Sequence, residues 1–193
     1  MTIKKMIGAA ALMGVMASAN AASMSLMYTG DNQMIDGVIQ AEGGDALTFD
    51  LIMDFSGDGE ITLGGGFDIN FDAAGLTFDT YQSAGLGEAS FGRDPEVQDG
   101  RLFSGAFGAF AGLTGPATVA TITFIANGEA GLFNVSPSGT DGIGGPFISA
   151  VDFITVLDVD YNGADVQVVP VPAAVWFMLS GLGALVGFGR KSA

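Results

Sequence analysis

Asp54, Ser56, Asp58 and Glu60 place oxygen atoms at alternate positions of the glycine-rich segment DFSGDGE, residues 54–60. Hard oxygen ligands on a tight loop suit calcium, which makes these four the candidate metal ligands and calcium the one candidate cofactor. An EF-hand requires a carboxylate at its twelfth position, and counting from Asp54 that position is Gly65. The segment is therefore no EF-hand, and its simpler reading is a hairpin turn whose acids face water. Asp158 and Asp160 stand two residues apart on one predicted strand face, with Asp152 and Asp165 close by in sequence. They offer a second place for a cation, or else an acidic ladder that keeps an exposed sheet edge from pairing with another chain. Arg93 and Arg101 bracket Asp94, Glu96 and Asp99, a segment read either as a recognition loop or as local ion pairing on the surface. Asp31 and Asp36 read as turn residues.

The residue types that are missing exclude most other chemistry. The 193 residues contain no Cys and no His, so there is no conventional zinc or copper site, thiol nucleophile, Ser-His-Asp triad or disulfide. No Lys falls between Ala22 and Val169, which removes Schiff-base chemistry. Glycoside hydrolysis needs one carboxyl kept protonated by burial and another ionised at a fixed distance. Most acids here fall at outward strand positions or in turns, and no such pair stands out. Aromatic rings for stacking on sugars are few: Tyr81 is outward by phase, and most of the 15 Phe follow buried phases. The expectation is a protein that is not an enzyme.

Charge narrows the partners. All 21 acidic residues lie between Ala22 and Val169, and of the six basic ones only Arg93 and Arg101 do, leaving −19 on that stretch. Such a surface repels nucleic-acid phosphates and anionic lipid headgroups, so no nucleic-acid partner is expected.

The elements that must position these side chains are strands. In 47–55, Leu47, Phe49, Leu51, Met53 and Phe55 alternate with polar partners. Phe67, Ile69 and Phe71 do the same against Asp68 and Asp72, and Leu76, Phe78 and Thr80 against Thr77, Asp79 and Tyr81. Ala120, Ile122 and Phe124 follow the same rule. A period of two means strands with one buried and one wet face. Residues 153–161 alternate too, and Asn162-Gly163 before Ala164, Val166 and Val168 signals a hairpin. The Gly- and Ala-rich segment 104–115 reads as a loop packed across an edge, or else as a short helical turn. Eight to ten short strands without helical periodicity between them predict an all-β fold, an antiparallel jelly-roll or Greek-key sandwich over residues 22–169.

Both ends carry export signals. Residues 1–21 have the build of a secretory signal-peptide helix: Lys4 and Lys5, an apolar stretch from Met6, then Ala19-Asn20-Ala21 with cleavage expected before Ala22. At the other end Val169-Pro170-Val171-Pro172-Ala173 leads into an apolar run over 173–189, closed by Arg190 and Lys191. Proline is tolerated at a helix start and not inside one, so a single transmembrane helix is expected to begin here. Its length of about 25 Å is at the short end for a bilayer core, with the basic pair on the cytoplasmic side and Trp176 near an interface.

That order resembles the PEP-CTERM family of sorting tails in its VPLPA-like variant, over residues 169–193. Val169, Pro170, Val171, Pro172 and Ala173 match the proline motif, Gly181, Leu182 and Gly183 fall within the span, and Arg190 and Lys191 form the basic end. Val171 replaces the family's usual Glu, and the basic cluster is shorter than is typical. The resemblance implies a Gram-negative bacterium, an exosortase as transient partner, an inner-membrane intermediate and delivery to the cell surface or extracellular matrix. A plain single-span anchor is the alternative.

The middle is similar to cohesin-like sandwiches, related to carbohydrate-binding modules. Leu63 to Ile69, Phe71-Asp72 and Leu76 to Phe78 fit their early strands. Val119 to Phe124 with Gly128 to Phe133 fit a central hairpin, and Gly163 to Val168 a last strand. The expectation that follows is a non-catalytic envelope or matrix protein, held by the membrane and displaying its sandwich for adhesion. Its ligand would be an exopolysaccharide or an envelope protein. A cohesin-like protein–protein interaction module is the alternative, and a carbohydrate-active enzyme a third reading.

Overall fold

The computed structural model describes residues 22–57, 60–87 and 90–169. The predicted signal peptide and sorting tail, with Ala19, Ala21, Pro170, Val171, Pro172, Ala173, Arg190 and Lys191, lie outside the described residues, as does Asp58. In chain order the strands are β1 Ala22–Tyr28, β2 Met34–Ile35, β3 Val38–Glu42, β4 Ala46–Asp54, β5 Thr62–Phe71, β6 Leu76–Ser83 and β7 Ser90–Arg93. They continue with β8 Glu96–Gln98, β9 Arg101–Leu113, β10 Ala117–Ala126, β11 Gly131–Gly139, β12 Ile148–Ser149, β13 Val159–Asn162 and β14 Ala164–Val169. Among the described residues no helix is long and apolar enough to cross a membrane.

Two sheets face each other. One has the order β13-β1-β4-β10-β6, and the other runs β2-β3-β14-β11-β5-β9-β7, with β8 added to β9 and β12 to β5. Pairing is antiparallel except where β1 meets β13 and β3 meets β14. The core lies between the sheets, and the alternating residues build it as expected: Leu47, Phe49, Leu51, Met53 and Phe55 from β4 and the residue after it, Ala120, Ile122 and Phe124 from β10, all fully buried. Phe124 is the hub of an aromatic cluster, 6.2 Å from Phe49 edge-to-face and 5.0 Å from Phe71. Burying each such ring contributes on the order of 2–3 kcal/mol.

Several expectations are corrected. The segment 104–115 is no loop, since β9 runs through most of it and buries Phe107. Small residues are needed there because a Cβ at Gly105 would meet the Phe67 ring and one at Gly108 the Phe91 ring. Asn162-Gly163 makes no hairpin: β13 belongs to the first sheet and β14 to the second, so this is a corner where the chain changes sheets. Gly163 serves close approach, since a Cβ there would meet the Val135 carbonyl. The segment from β10 to β11 likewise crosses between sheets. Tyr81 is not outward. A bulge at Asp79 shifts the register between β6 and β10, so Tyr81 pairs with Ile122 and packs on the core. Burial pushes its hydroxyl pKa up, with a smaller push from Asp94.

The largest correction concerns Asp68. By phase it should face water, yet it is fully buried. Residues 140–145 fold back over the outer face of β5, with the Gly66 N–H donating to the Gly145 carbonyl at 2.8 Å. A Cβ at Gly66 would collide with Thr140 and the Ile143 carbonyl, so only glycine lets this roof close. Beneath it β9 bulges at Ser104, whose φ is 62°. One Asp68 oxygen accepts the Ser104 N–H at 2.7 Å, and the other accepts both Nε and Nη2 of Arg101. The Ser104 hydroxyl in turn accepts from the Ile143 N–H at 2.8 Å and from Arg93 at 2.8 Å. The roof is thus bonded to the sheet through Ser104 as well as through Gly66.

Asp68→Ala should therefore lower unfolding stability by about 3 kcal/mol, because it strands the Ser104 N–H and a partly buried guanidinium. Asp160→Ala, on an exposed edge, should stay within about 0.5 kcal/mol. Urea midpoints at unchanged m-value measure both; equal midpoints would show that the carboxylate does not hold the roof.

Candidate docking surface

From the roof the chain turns inward. Phe147 is buried, its ring 5.3 Å from Phe55 and 5.4 Å from Phe107, and Leu157 is buried ten residues later. The Leu157 N–H donates to the Phe147 carbonyl at 2.9 Å, closing the base of a loop. Within it the Ser149 N–H donates to the Thr155 carbonyl at 2.9 Å, the Phe153 N–H to the Ser149 carbonyl at 3.1 Å, and the Ala150 N–H to the Ile61 carbonyl at 2.7 Å. Asp152 is the local organiser. Its Oδ1 accepts from the Ile154 and Thr155 N–H groups at 3.1 and 2.9 Å, and its Oδ2 accepts from the Thr155 hydroxyl at 2.5 Å. This is how an aspartate competes for its own backbone and makes a turn. Those donors, the Thr155 hydroxyl first, hold the Asp152 carboxyl down at about 2.

A loop so fully bonded holds its outward side chains still, and they are apolar. Val151 is 76 % exposed, Phe153 66 %, Ile154 81 % and Val156 57 %. Phe153 also sits at φ 62°, a left-handed conformation that is unfavourable for an aromatic residue. Such strain persists only when the surroundings over-determine it, and it concentrates at sites of recognition. Burying all four side chains against a partner would remove apolar surface worth on the order of several kcal/mol from water. The alternation over residues 153–161 reads as a strand in the sequence. The strand begins only at Val159, and Phe153 faces solvent. The signal overlooked was Asp152 followed three residues later by Thr155.

The acidic side chains singled out in the sequence do not converge. Asp54 Oδ1 accepts from the Ser56 N–H at 2.9 Å and its hydroxyl at 2.6 Å, a local turn. Among the described residues no group of three or more acidic side chains is placed to hold a metal ion. Asp165 accepts from the Asn134 amide at 2.9 Å on the second sheet, Asp152 caps its own loop, and Asp160 lies exposed on β13 at the edge of the first sheet. Asp36 and Gly37, at φ 50° and 85°, form the two-residue turn between β2 and β3. Arg93 pairs with Glu96 at 2.5 Å, the local ion pair expected. Arg101 reaches instead for Asp68 and, at 3.4 Å, Asp141. Opposite charges around it raise its pKa, the Asp68 hydrogen bond most of all. Both arginines of the domain are therefore tied internally.

Other surface features are less organised. Phe91 and Phe110 stack at 5.3 Å on the β7–β9 edge, and an open cleft of about 450 Å³ lies beside the β9–β10 turn, lined by Met53, Leu86 and Pro116 among others.

Comparison with solved structures identifies the architecture. The chain is similar to a cohesin module from a Clostridium perfringens family 33 glycoside hydrolase, at 8 % identity and a TM-score of 0.54, over 78 % of this chain and 100 % of that one. A non-cellulosomal cohesin from Archaeoglobus fulgidus matches at 11 % and 0.52, over 80 % and 97 %. A type I cohesin–dockerin complex from Clostridium thermocellum matches at 11 % and 0.51, over 78 % and 100 %. The domain is an all-β sandwich with the cohesin fold. No family model and no curated protein matches the sequence.

The Asp152 cap gives a pH signature. A depressed folded-state pKa means the cap's contribution is present above the ordinary value of 3.8 and is lost as pH falls toward about 2. The amide shifts of Ile154 and Thr155 should titrate with a midpoint near about 2. A midpoint at 3.8 would mean the carboxylate does not accept those bonds.

Proposed function

We propose that the protein is a non-catalytic protein–protein interaction module, exported and displayed outside the cytoplasm. The observation that carries the reading is the loop of residues 150–156, a hydrogen-bonded turn that holds four apolar side chains in solvent on a rigid sandwich. The fold supports it as well, because the sandwich spans whole cohesin modules and one matched structure is a cohesin bound to a dockerin. The residue inventory speaks against catalysis: there is no His and no Cys, and the one fully buried acid among the described residues, Asp68, is engaged by Arg101 and the Ser104 N–H. Carbohydrate stacking loses its best candidate with Tyr81 packed inward.

Display follows from the termini. In this reading residues 1–21 are removed on export and Ala22 becomes the first residue of β1. The Val169–Ala173 motif and the span 173–189 then hold the protein in the inner membrane until an exosortase cuts near the prolines. The support is the order of proline motif, apolar span and basic pair.

Two experiments test these parts. Pro170→Ala with Pro172→Ala should leave an uncleaved inner-membrane species on fractionation; unchanged processing and delivery would refute the sorting reading. For the module, covalent crosslinking of the full chain in its own cells, followed by mass spectrometry, should return adducts with a defined protein. Adducts confined to polysaccharide would refute the interaction reading.

A further inference from the structure

The apolar loop, the charge around it and the place where the described chain ends lead to a more specific conclusion. We propose that the 150–156 loop is the far tip of the displayed module and docks a protein that surrounds an apolar pocket with Lys and Arg. This rests on the interaction reading above.

The placement comes from strand register. Ser149 pairs with Thr62 at the start of β5, so the loop projects from that end of the sandwich. Following β5 to Phe71, across to Val135 and on along β11 to Gly131 reaches Val168. At ~3.3 Å per residue that path covers about 40 Å along the strands. The chain therefore leaves the domain at Val169, at the opposite end from the loop. A domain tethered through residues after Val169 presents the loop outward.

Charge selects the occupant. Asp152 lies within the loop and stays ionised, since its carboxyl is held low by three donors. Asp158 follows the buried Leu157 and is exposed, and Glu60 adjoins Ile61, whose carbonyl binds Ala150. Among the described residues no basic side chain answers them, because Arg93 and Arg101, the two cations between Ala22 and Val169, are engaged on the roof of the second sheet. A second copy of this chain would bring another −19 domain against the first. An anionic lipid surface meets the same repulsion and, for the membrane of the tether, lies at the wrong end. A partner with a cationic rim satisfies both the acids and the four apolar side chains, as complementary interfaces do.

The test is a photo-crosslinking amino acid at position 154 of the full-length protein in its native cells, with position 132 on the second sheet as the comparison site. Both Ile154 and Leu132 are exposed, so neither change disturbs the core. The expected result is a protein adduct from position 154 whose crosslinked peptide is net basic. Changing Glu60→Gln and Asp158→Asn together, which leaves the Asp152 cap in place, should reduce that adduct at least tenfold while the thermal midpoint shows the fold retained. An adduct from position 132 alone leaves the interaction reading standing and overturns this one. Adducts from neither position overturn both. An adduct from position 154 to lipid, to glycan, to a second copy of the chain or to an acidic segment overturns the cationic-rim proposal.

Discussion

A carboxylate with no access to water has to be met on both oxygens, and at Asp68 that requirement organises half of the molecule. Its partners come from the far side of a bulge in β9, so the bulge, the Ser104 φ of 62° and the Arg101 rotamer are set together. Ser104 then carries the 140–145 roof, and the roof delivers Phe147 to the core. A buried ion pair contributes little net stability compared with a well-packed apolar replacement, yet losing one partner is expensive. What the pair supplies is position. It fixes where the chain crosses the end of the sandwich, and the exposed loop begins from that crossing.

The same pairing explains the one-sided electrostatics of the surface. With Arg101 bound to Asp68 and Asp141, and Arg93 to Glu96 and Ser104, neither cation is left to meet an anionic partner. The remaining acids cap turns or stand in water, as Asp152, Asp54 and Asp160 do. Net negative charge of this kind disfavours contact with like-charged surfaces, which is the basis of the cationic partner proposed above.

The loop of residues 150–156 departs from the logic of the core. Most phenylalanines of the described strands are buried according to strand phase, with Phe91 and Phe110 on the β7–β9 edge exposed, whereas Phe153 is held in solvent off any strand, in a left-handed backbone conformation. The two anchors Phe147 and Leu157 and the Asp152 cap supply the constraint that makes this conformation persist. Pre-ordering of this kind lowers the entropy lost on association, which is where rigid loops gain affinity.

From the sequence alone the strand phases of β4 and β10, the sandwich class and the Asp36-Gly37 turn were legible. Each depends on local alternation or on a two-residue turn, and local sterics decide these. The site was not legible. Asp68 has the pattern of a wet residue until residues more than seventy positions later roof it, and Tyr81 changes face because β6 gains a bulge opposite β10. Residues 153–158 alternate like a strand, yet they pair only briefly, through a single Ile148–Val156 bridge, and an aspartate cap claims the backbone N–H groups of Ile154 and Thr155. Burial, partner choice and exposure are properties of what lies across the gap. Only the assembled sandwich could decide them.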